Sequence, residues 1–348
     1  MAPSLGHYIC SNAPMVTTID IIGGGVAGLA LAARLDPHRF RIRVLDAGRD
    51  AREVGTCFGI WPFAMPSLAA LGLAERVRAA GVRPTAGSIW NAAGRRLVHS
   101  TRVPEVWLVT RVQLLDWLDQ AVGPHVERVG TRVADPGTSE AELVIGADGA
   151  YSITRERIFG RGATSTGIVA LRGLVPFPVE PGEYWGRGAH FGSTPHPDGL
   201  TNWFATLPEF RAGPAEALDR ARAAFADFPA PVRAVLGAAT PGQTLVNRIV
   251  EAPSLPSFVH GRTVLIGDAA HAMSPNLGRG ACESLVDAAV LAEALGSAPP
   301  AEALARYDRV RRRPTQRIRR LAAAMRRLSL GGGPLRDPLL RTVGTLVR

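Results

Sequence analysis

The sequence predicts an α/β protein with two sheets. A parallel sheet is built from both ends of the chain, and an antiparallel sheet is inserted in the sequence between them. Three observations support this. Residues 17–46 read as an apolar strand, a glycine-rich turn, a helix and a second strand. Two later apolar strands, 143–148 and 263–268, each end in Asp. Between them, residues 162–256 alternate apolar and polar side chains with period two, which is typical of antiparallel strands.

Composition sets the broad class of protein. The 348 residues are 46% hydrophobic and 20% charged, enough for one large domain or two that share an interface. The sequence contains no run of about 18 apolar residues, which is the pattern that predicts a membrane span. Residues 1–14 lack a secretory pattern. We therefore expect a disordered leader over 1–16 and a cytoplasmic protein. Met15 is a possible natural start.

The three cysteines, Cys10, Cys57 and Cys282, include no close pair. This spacing argues against a disulfide framework and against zinc, and no metal site is predicted. Cys282 falls near a helix start, a place that can lower the pKa of a thiol. A small buried hydrophobe is the favoured interpretation of this residue.

The net charge is +10, and all the basic side chains are arginine. The absence of lysine excludes Schiff-base chemistry. One arginine-rich stretch follows a helical pattern and is predicted to be a solvated helix face. Its members are Arg309, Arg311, Arg312, Arg313, Arg317, Arg319 and Arg320. The remaining arginines are scattered, so neither a nucleic-acid partner nor a membrane partner is predicted.

The first strand–turn–helix pattern is typical of a dinucleotide site. The strand over 17–22 leads into GGGVAG, where Gly23, Gly25 and Gly28 fit G-x-G-x-x-G. These glycines allow the tight turn, the approach of a pyrophosphate and the packing of the helix on the strand. The second strand ends at Asp46, where an acid can accept a hydrogen bond from a ribose hydroxyl. The pattern leaves FAD and NAD open.

Two distant segments help to decide between these cofactors. The strand 143–148 ends in Asp148, followed by Gly149. The strand 263–268 ends in Asp268, and a glycine-containing loop, 275–280, leads into a helix. Each acid can reach a sugar-like hydroxyl. A cofactor contacted from both ends of the chain is long, which favours FAD, and the chain between these ends must fold as an insertion.

The motifs together carry a resemblance to a known family. They are Gly23-x-Gly25-x-x-Gly28, Arg111 in TRVQLLDWL, Gly146-x-Asp148-Gly149-x-x-Ser152, and Gly267-Asp268-Ala269-Ala270-His271 with Pro275 and Gly278-x-Gly280. With these motifs in this order, residues 17–313 resemble the class A (single-component) FAD-dependent monooxygenases of the p-hydroxybenzoate hydroxylase fold. The nearest branch contains salicylate-hydroxylase-like and zeaxanthin-epoxidase-like members. The motifs are specific for the superfamily and not for a substrate.

The resemblance implies an architecture with defined bounds. A Rossmann-like FAD-binding domain of the GR2 type would be formed by residues 17–161 and 257–327. An inserted antiparallel substrate domain would occupy 162–256. A C-terminal helical tail, 328–348, would begin at a glycine hinge and either pack on the body or join subunits in a monomer or homodimer.

The resemblance also implies a non-covalent FAD site. The pyrophosphate and its turn would contact Gly23, Gly25, Val26, Ala27 and Gly28. The adenosine ribose would contact Asp46, and other parts of FAD would contact Arg111, Asp148, Gly149 and Asp268. The isoalloxazine ring would lie against Pro275, Gly278, Arg279, Gly280 and Ala281. His271 is assigned a structural role.

Two departures from the family pattern affect these assignments. Ala47 stands where the family has Arg, and Arg49 or Arg52 is a candidate to replace it. Arg279 stands where Gln is common. A cation at that place would raise the reduction potential of the flavin or bind an anionic substrate.

The reaction implied by the resemblance is oxygen insertion. NADPH or NADH would reduce FAD and leave, and O2 would give a flavin C4a-hydroperoxide that hydroxylates or epoxidises a small aromatic or unsaturated substrate. His190 is a candidate base because its ordinary pKa suits proton removal from a phenol. Arg172 is the second catalytic candidate. Arg187 and Asn202 lie on the same predicted strands.

Three alternatives have different chemistry. A flavin halogenase is disfavoured because its catalytic Lys and its Trp-x-Trp-x-Ile-Pro segment are both missing. A flavin-dependent reductase or a Baeyer–Villiger-type tailoring enzyme would keep the same cofactor motifs. A non-catalytic FAD-containing binding or sensor protein would keep them as well, and would fail to oxidise NAD(P)H with any ligand.

Overall fold

The computed structural model describes residues 16–48, 56–332 and 335–346, with no side-chain description for 343–346. Apart from Val16, the predicted leader lies outside these residues, as do Cys10, Arg49 and Arg52. The strands are Thr17–Ile22 (β1), Phe40–Asp46 (β2), Cys57–Ile60 (β3), Gly87–Asn91 (β4), Arg96–Ser100 (β5), Trp107–Thr110 (β6), Glu127–Gly130 (β7), Leu143–Gly146 (β8), Thr164–Val175 (β9), Gly182–Trp185 (β10), His190–Pro195 (β11), Thr201–Pro208 (β12), Thr244–Glu251 (β13), Val259–His260 (β14) and Thr263–Leu265 (β15). The helices are Val26–Ala32 (α1), Met65–Ala69 (α2), Ala74–Ala80 (α3), Arg111–Ala121 (α4), Ile153–Phe159 (α5), Pro214–Ala224 (α6), Ala230–Ala238 (α7), Asp268–His271 (α8), Gly280–Ser297 (α9), Pro300–Leu330 (α10) and Arg336–Leu346 (α11).

A six-stranded sheet, here called the first sheet, has the order β14-β15-β8-β1-β2-β7. Strands β15, β8, β1, β2 and β7 are parallel, and β14 is antiparallel to β15. Strands from both ends of the chain therefore pair in one sheet, which confirms the predicted fold class. Because the carboxyl ends of parallel strands lie at one edge, the segments after β1, β2, β8 and β15 meet there.

Close packing at the start of α1 explains why the last position of the G-x-G-x-x-G pattern, Gly28, must be a glycine. A Cβ atom on Gly28 would lie 2.0 Å from the carbonyl oxygen of Gly23, so a side chain there would collide with backbone. The helix packs against α9 and α4 over a core that includes Ile19 and Ile21, both fully buried. The glycine brings the end of β1 and the start of α1 together, which positions the turn between them.

The second sheet is seven-stranded, with the order β13-β9-β12-β11-β10-β4-β5. Its outer face packs on α6 and α7 through buried aromatic side chains such as Trp203, Phe191 and Phe225. Two of its strands, β4 and β5, come from outside residues 162–256, so the sheet extends beyond the predicted insertion. Strand β4 joins through parallel pairing with β10, about 90 residues later. Such a long-range pairing leaves no local turn signal in the sequence.

The C-terminal tail packs on this second sheet. Helix α10 ends at Leu330, and α11 lies against β5. The Asn91 Nδ2 atom donates to Asp337 Oδ2 at 2.9 Å, and Arg336 Nη2 donates to the carbonyl of Trp185 at 3.1 Å. Of the two outcomes left open by the sequence, packing on the body is the one observed in the described part of the tail. Within the described residues, no helix is long and apolar enough to cross a membrane.

A buried ionic network joins α8, α9 and α10. The Asp287 carboxylate, fully buried, accepts hydrogen bonds from Gly267 N at 2.8 Å, His271 Nε2 at 2.6 Å and Arg311 Nε at 2.6 Å. Arg311 Nη2 also donates to Glu283 Oε2 at 2.6 Å. The expectation that Arg311 lies on a solvated face was wrong. It continues the buried stripe of Leu304 and Tyr307, at i, i+3 and i, i+4 spacing, and its guanidinium contacts two carboxylates of α9.

Charge pairing decides the protonation states of this network. Burial alone would raise the pKa of Asp287, but the His271 and Arg311 cations hold it well below its ordinary value. Burial would lower the pKa of His271, but the Asp287 carboxylate raises it. Both partners are therefore held in their charged forms. A buried pair of this kind is costly to break, because removing one charge leaves the other uncompensated.

We predict that Asp287→Asn lowers the free energy of unfolding by about 3 kcal/mol, since it leaves Arg311 and His271 without their shared anion. Urea unfolding of the wild type and variant measures this difference. Glu293→Gln is the matched control on the same helix, because the Glu293–Arg306 pair is exposed. The control should change stability by no more than about 1 kcal/mol. Equal effects from the two substitutions would contradict the prediction.

The raised pKa of His271 gives this contribution a pH dependence. A folded-state pKa above the unfolded value means that the imidazolium stabilises the protein fully below about pH 6.5 and loses this effect as pH rises through the folded pKa. The unfolding free energy of the wild type minus that of His271→Gln should therefore be largest in mild acid and shrink toward alkaline pH. A difference that stays constant or grows with pH would refute this assignment.

Candidate functional site

The glycine turn after β1 is held open by backbone and carboxylate contacts. Gly23 N donates to the carbonyl of Leu45 at 2.8 Å, and Gly24 N donates to Asp46 Oδ2 at 2.7 Å. The other oxygen of Asp46 accepts from Gly48 N at 2.8 Å. Among the described residues, and apart from its own chain neighbours, no atom lies within 4 Å of the place that a Cβ on Gly25 would take. The turn therefore presents free space above the start of α1, as the pyrophosphate hypothesis requires.

The acid after β8 has a different role. The Asp148 carboxylate accepts from Ser152 Oγ at 2.5 Å and from both Thr154 N and Thr154 Oγ1 at 2.9 Å. All three of these hydrogen bonds come from the start of α5, so the carboxylate shapes the loop. The next residue, Gly149, has a φ of 76°, and a Cβ there would meet no other part of the described chain within 4 Å. A ligand would meet the backbone of this loop.

Arg155 joins the two strand-end loops, and no role was predicted for it from the sequence. Its guanidinium is completely buried and donates to the carbonyls of Ala150 at 2.7 Å and Ala269 at 2.9 Å. It also donates to the carbonyl of Asp268 at 3.3 Å. The loops after β8 and β15 are thus fixed against one another. The signal in the sequence was the position of this arginine, three residues after the Ser152 that ends the motif starting at Gly146.

Asp268 lies at the centre of this edge with its side chain exposed. Desolvation by the surrounding protein raises the pKa of its carboxyl, while nearby His271 and Arg111 act to lower it. A Cβ on Gly280 would stand 3.7 Å from Asp268 Oδ1. The structure therefore brings Arg111 of α4 close to Asp268 and the 275–280 loop, which come from a distant part of the sequence. Its carboxylate is available to a ligand in a cleft.

The 275–280 loop is anchored on several sides. Trp61 Nε1 donates to the carbonyl of Gly278 at 3.0 Å, and Asn276 Nδ2 donates to Ser329 Oγ at 3.2 Å. Arg279 stacks on the ring of Phe63, with its guanidinium carbon 4.1 Å from the ring centroid, and donates to Glu283 Oε1 at 2.8 Å. Part of the Arg279 charge is thus neutralised within the protein. Ala281 follows in the first turn of α9.

Cys282 is a structural thiol. It is fully buried, donates to the carbonyl of Gly59 at 3.2 Å, and accepts from Trp61 N at 3.3 Å. Burial raises the pKa of this thiol to about 12. The interpretation of Cys282 as a small buried hydrophobe is confirmed, and its contacts join α9 to the end of β3.

One face of the second sheet looks toward this cofactor edge. The strand registers place Glu183, Gly192, Phe204 and Arg172 side by side on that face. One hydrogen bond and one electrostatic interaction indicate its orientation. Asn202 Oδ1, also on this face, accepts from Cys57 N of β3 at 3.3 Å, and Arg172 lies close enough to Arg111 of α4 for its pKa to be affected. The space between this face and the 275–280 loop is the candidate substrate cavity.

The two catalytic candidates differ in their access to this cavity. Arg172 Nη2 donates to Asn247 Oδ1 at 3.0 Å, and its buried Nε has no partner among the described residues. Burial lowers the pKa of this guanidinium, and the charge of Arg111 lowers it further. His190 is only 1% exposed, and its Nε2 lies 3.0 Å from Glu183 Oε2. It lies on the same sheet face as Glu183 and beside it, on the neighbouring strand. No role was predicted for Glu183 from the sequence. Arg187 packs instead beside Gly332 of the tail.

Known proteins resemble this chain over most of its length. Residues 250–322 match the family described as FAD binding domain, and residues 21–55 match the NAD(P)-binding Rossmann-like domain. The chain is 30% identical to aurachin C monooxygenase/isomerase of Stigmatella aurantiaca over 326 residues, 84% of this chain and 85% of the relative. It is 29% identical to 2-heptyl-3-hydroxy-4(1H)-quinolone synthase of Pseudomonas aeruginosa over 368 residues, 94% of each chain.

The fold likewise matches a solved structure, that of Klebsiella pneumoniae HpxO complexed with FAD and uric acid, with a TM-score of 0.83. The alignment covers 95% of each chain at 20% identity. The two family matches fall on the two ends of the chain, which meet at the cofactor edge. The alignment with aurachin C monooxygenase/isomerase is long enough to include both sheets. The chain belongs to the class A FAD-dependent monooxygenases and is an oxidoreductase that acts on a small-molecule substrate with FAD and a nicotinamide reductant.

Proposed function

We propose that this monooxygenase hydroxylates a ring carbon of a small aromatic or heteroaromatic substrate. The observation that carries the proposal is the cavity-facing row of the second sheet, in which the ring of Phe204 lies between a carboxylate, Glu183, and a guanidinium, Arg172. Such a row suits a flat ring with polar groups at both ends. One curated relative is named a monooxygenase/isomerase, and the other is named for a ring-hydroxylated quinolone, which supports the proposal.

FAD would be held along the cofactor edge of the first sheet. The pyrophosphate would occupy the open space at Gly25, above the turn formed by Gly23 and Gly28 and the first helical residues, Val26 and Ala27. Asp46 would contact the adenosine ribose with the lone pairs that its two backbone donors leave free. The loop containing Asp148 would present the backbone of Gly149 to the cofactor.

The flavin end of the cofactor would meet the other side of the edge. Asp268 would accept hydrogen bonds from the ribityl hydroxyls, with Arg111 beside it. The isoalloxazine ring would lie against the loop residues Pro275, Gly278, Arg279, Gly280 and Ala281. When bound, FAD supplies the chemistry that NAD(P)H reduction and O2 make possible, the delivery of an electrophilic oxygen atom.

The protein side chains would supply binding and orientation. Arg172, with one guanidinium N–H buried and unpartnered among the described residues, would donate to a carbonyl or acidic group on the substrate. Phe204 lies over Gly192. Any side chain at position 192 would strike the Phe204 ring, because a Cβ on Gly192 would lie 2.2 Å from a ring carbon. The aromatic ring and sheet would exclude water from the reacting carbon.

We predict that Asp268→Ala weakens FAD binding roughly 10- to 100-fold, because hydrogen bonds to a charged acceptor contribute about 1.5–3 kcal/mol each. Titration of the apoprotein with FAD, followed by flavin fluorescence, gives the dissociation constant. Asp227→Ala removes an exposed carboxylate in the second sheet's helical layer and serves as the control. An unchanged FAD dissociation constant in Asp268→Ala would show that this carboxylate does not hold the cofactor.

The function itself is tested with the FAD-loaded enzyme, NADPH or NADH, and ¹⁸O₂. With a 2-alkyl-4(1H)-quinolone as substrate, we expect faster flavin reduction than without it and a product that has gained one ¹⁸O on a ring carbon. A reduced product without ¹⁸O would indicate a reductase, and ¹⁸O inserted into a carbon–carbon bond would indicate Baeyer–Villiger chemistry. A flavin that resists NADPH and NADH with every ring compound would indicate a binding or sensor protein.

A further inference from the structure

Glu183 contributes a carboxylate to the cavity-facing row of strands, and its surroundings leave one oxygen available. Its Oε2 accepts from Trp185 Nε1 at 2.7 Å and lies 3.0 Å from His190 Nε2. Its other oxygen, Oε1, receives no hydrogen bond from the described side chains and backbone. The side chain is 35% exposed although its strand pairs on both sides. The structure therefore leaves this oxygen available to a ligand on the sheet face that carries Gly192, Phe204 and Arg172.

The environment keeps this carboxylate charged. Burial acts to raise the pKa of Glu183, but the His190 and Trp185 contacts outweigh it and lower the pKa below its ordinary value. His190 is held in turn by the edge of Phe204, 5.0 Å away between ring centroids, and by Trp185 at 6.1 Å. The imidazole cannot move toward the cavity without disturbing both rings. It supports the carboxylate from the neighbouring strand.

The position of Glu183 along the row fits a particular kind of substrate. Glu183 and Arg172 are separated by three steps between neighbouring strands, or about 14 Å between backbones at about 4.8 Å per step. Their long side chains narrow this gap, and Phe204 stands between them. A ring that carries a hydrogen-bond donor at one end and an acceptor at the other matches this polarity. A carboxylate cannot donate, so it selects the donor end.

We propose that Glu183 is the catalytic residue that accepts the acidic ring proton, from an aromatic N–H or O–H conjugated with the carbon to be hydroxylated, and that His190 and Trp185 are its positioning residues. This inference rests on the proposed hydroxylase function and names its proton acceptor and the substrate feature that it recognises. It replaces the sequence-based assignment of His190 as the base.

Protons and electrons balance in this step. The N–H or O–H bond breaks, its proton passes to Glu183 Oε1, and the bonding pair stays on the ring and raises electron density at the conjugated carbon. That carbon takes the oxygen atom that the established reaction derives from O2. The carbon then loses its own proton as aromaticity returns, and this proton goes to the second oxygen atom of O2, which leaves as water. Glu183 returns the first proton to the ring nitrogen or oxygen. The glutamate ends the cycle ionised.

The decisive experiment compares Glu183→Gln with the wild type as FAD-loaded enzymes. The amide side chain of this variant has nearly the same shape and can still accept from Trp185, but it cannot take a proton. The neutral probes are a 2-alkyl-4(1H)-quinolone for the N–H class and a phenol for the O–H class. A polyfluorinated phenol that is already ionised at the assay pH is the third probe. Glu180→Gln, which alters an exposed carboxylate three residues away, is the matched control.

We expect Glu183→Gln to lower kcat/KM for the preferred neutral probe about 100-fold, within the range usual for general base catalysis. The same variant should bind the ionised phenol as tightly as the wild type or more tightly, because a negative charge facing the anion has been removed. The probe that the wild type hydroxylates identifies the donor class as N–H or O–H. FAD content and thermal midpoint should match those of the wild type and of Glu180→Gln.

Other outcomes overturn the inference in distinguishable ways. Retention of activity within about threefold on the neutral probe would show that Glu183 takes no proton. Weaker binding of all three probes by the same factor would show a structural role only. Should Glu183→Gln lose FAD, Glu183→Asp keeps the charge and must retain more activity on neutral probes than His190→Gln retains. Failure of the wild type to hydroxylate either neutral probe would remove the proposed function and this inference together.

Discussion

The buried carboxylate of Asp287 is the contact on which the cofactor edge depends. It receives the backbone N–H of Gly267, the imidazole of His271 and the guanidinium of Arg311, so one side chain on α9 fixes both the turn after β15 and the long helix α10. The turn it holds is the one that presents Asp268. Because two cations and two carboxylates, Asp287 and Glu283, are removed from water together, the arrangement is stable only when complete, and it allows the turn a single position.

The cavity depends on a second set of contacts, which joins the two sheets. Cys57 N reaches Asn202 from one side of β3, and Cys282 and Trp61 join the other end of β3 to α9 and the 275–280 loop. Strand β3 therefore sets the spacing between cofactor loop and cavity-facing row. Oxygen transfer requires the reacting carbon to be positioned relative to the cofactor with a precision of a fraction of an ångström. The short contacts made through this one strand provide such a constraint.

Sequence patterns predicted the parts of this molecule that are local or governed by backbone sterics. The bounds of β1 match the apolar run 17–22, and the collision that a Cβ on Gly28 would make explains why a glycine triplet is informative. Arg311 and Glu183 were missed because their surroundings come from other elements. An arginine in a basic helical stretch is ordinarily solvated, and only the carboxylates of α9 make its burial possible. Likewise, Glu183 gains significance only when β10 and β11 pair and place His190 beside it.

The repeated crossing of the chain between the two sheets has a consequence for engineering and for misfolding. Strands β4 and β5 are synthesised long before the other strands of the second sheet. Strand β4 gains its second neighbouring strand only when β10 pairs with it. Removing residues 162–256 as a unit would leave β4 with a bare row of N–H and C=O groups. An exposed edge of this kind templates intermolecular pairing, so grafting the insertion between relatives requires that the β4–β5 hairpin travel with it.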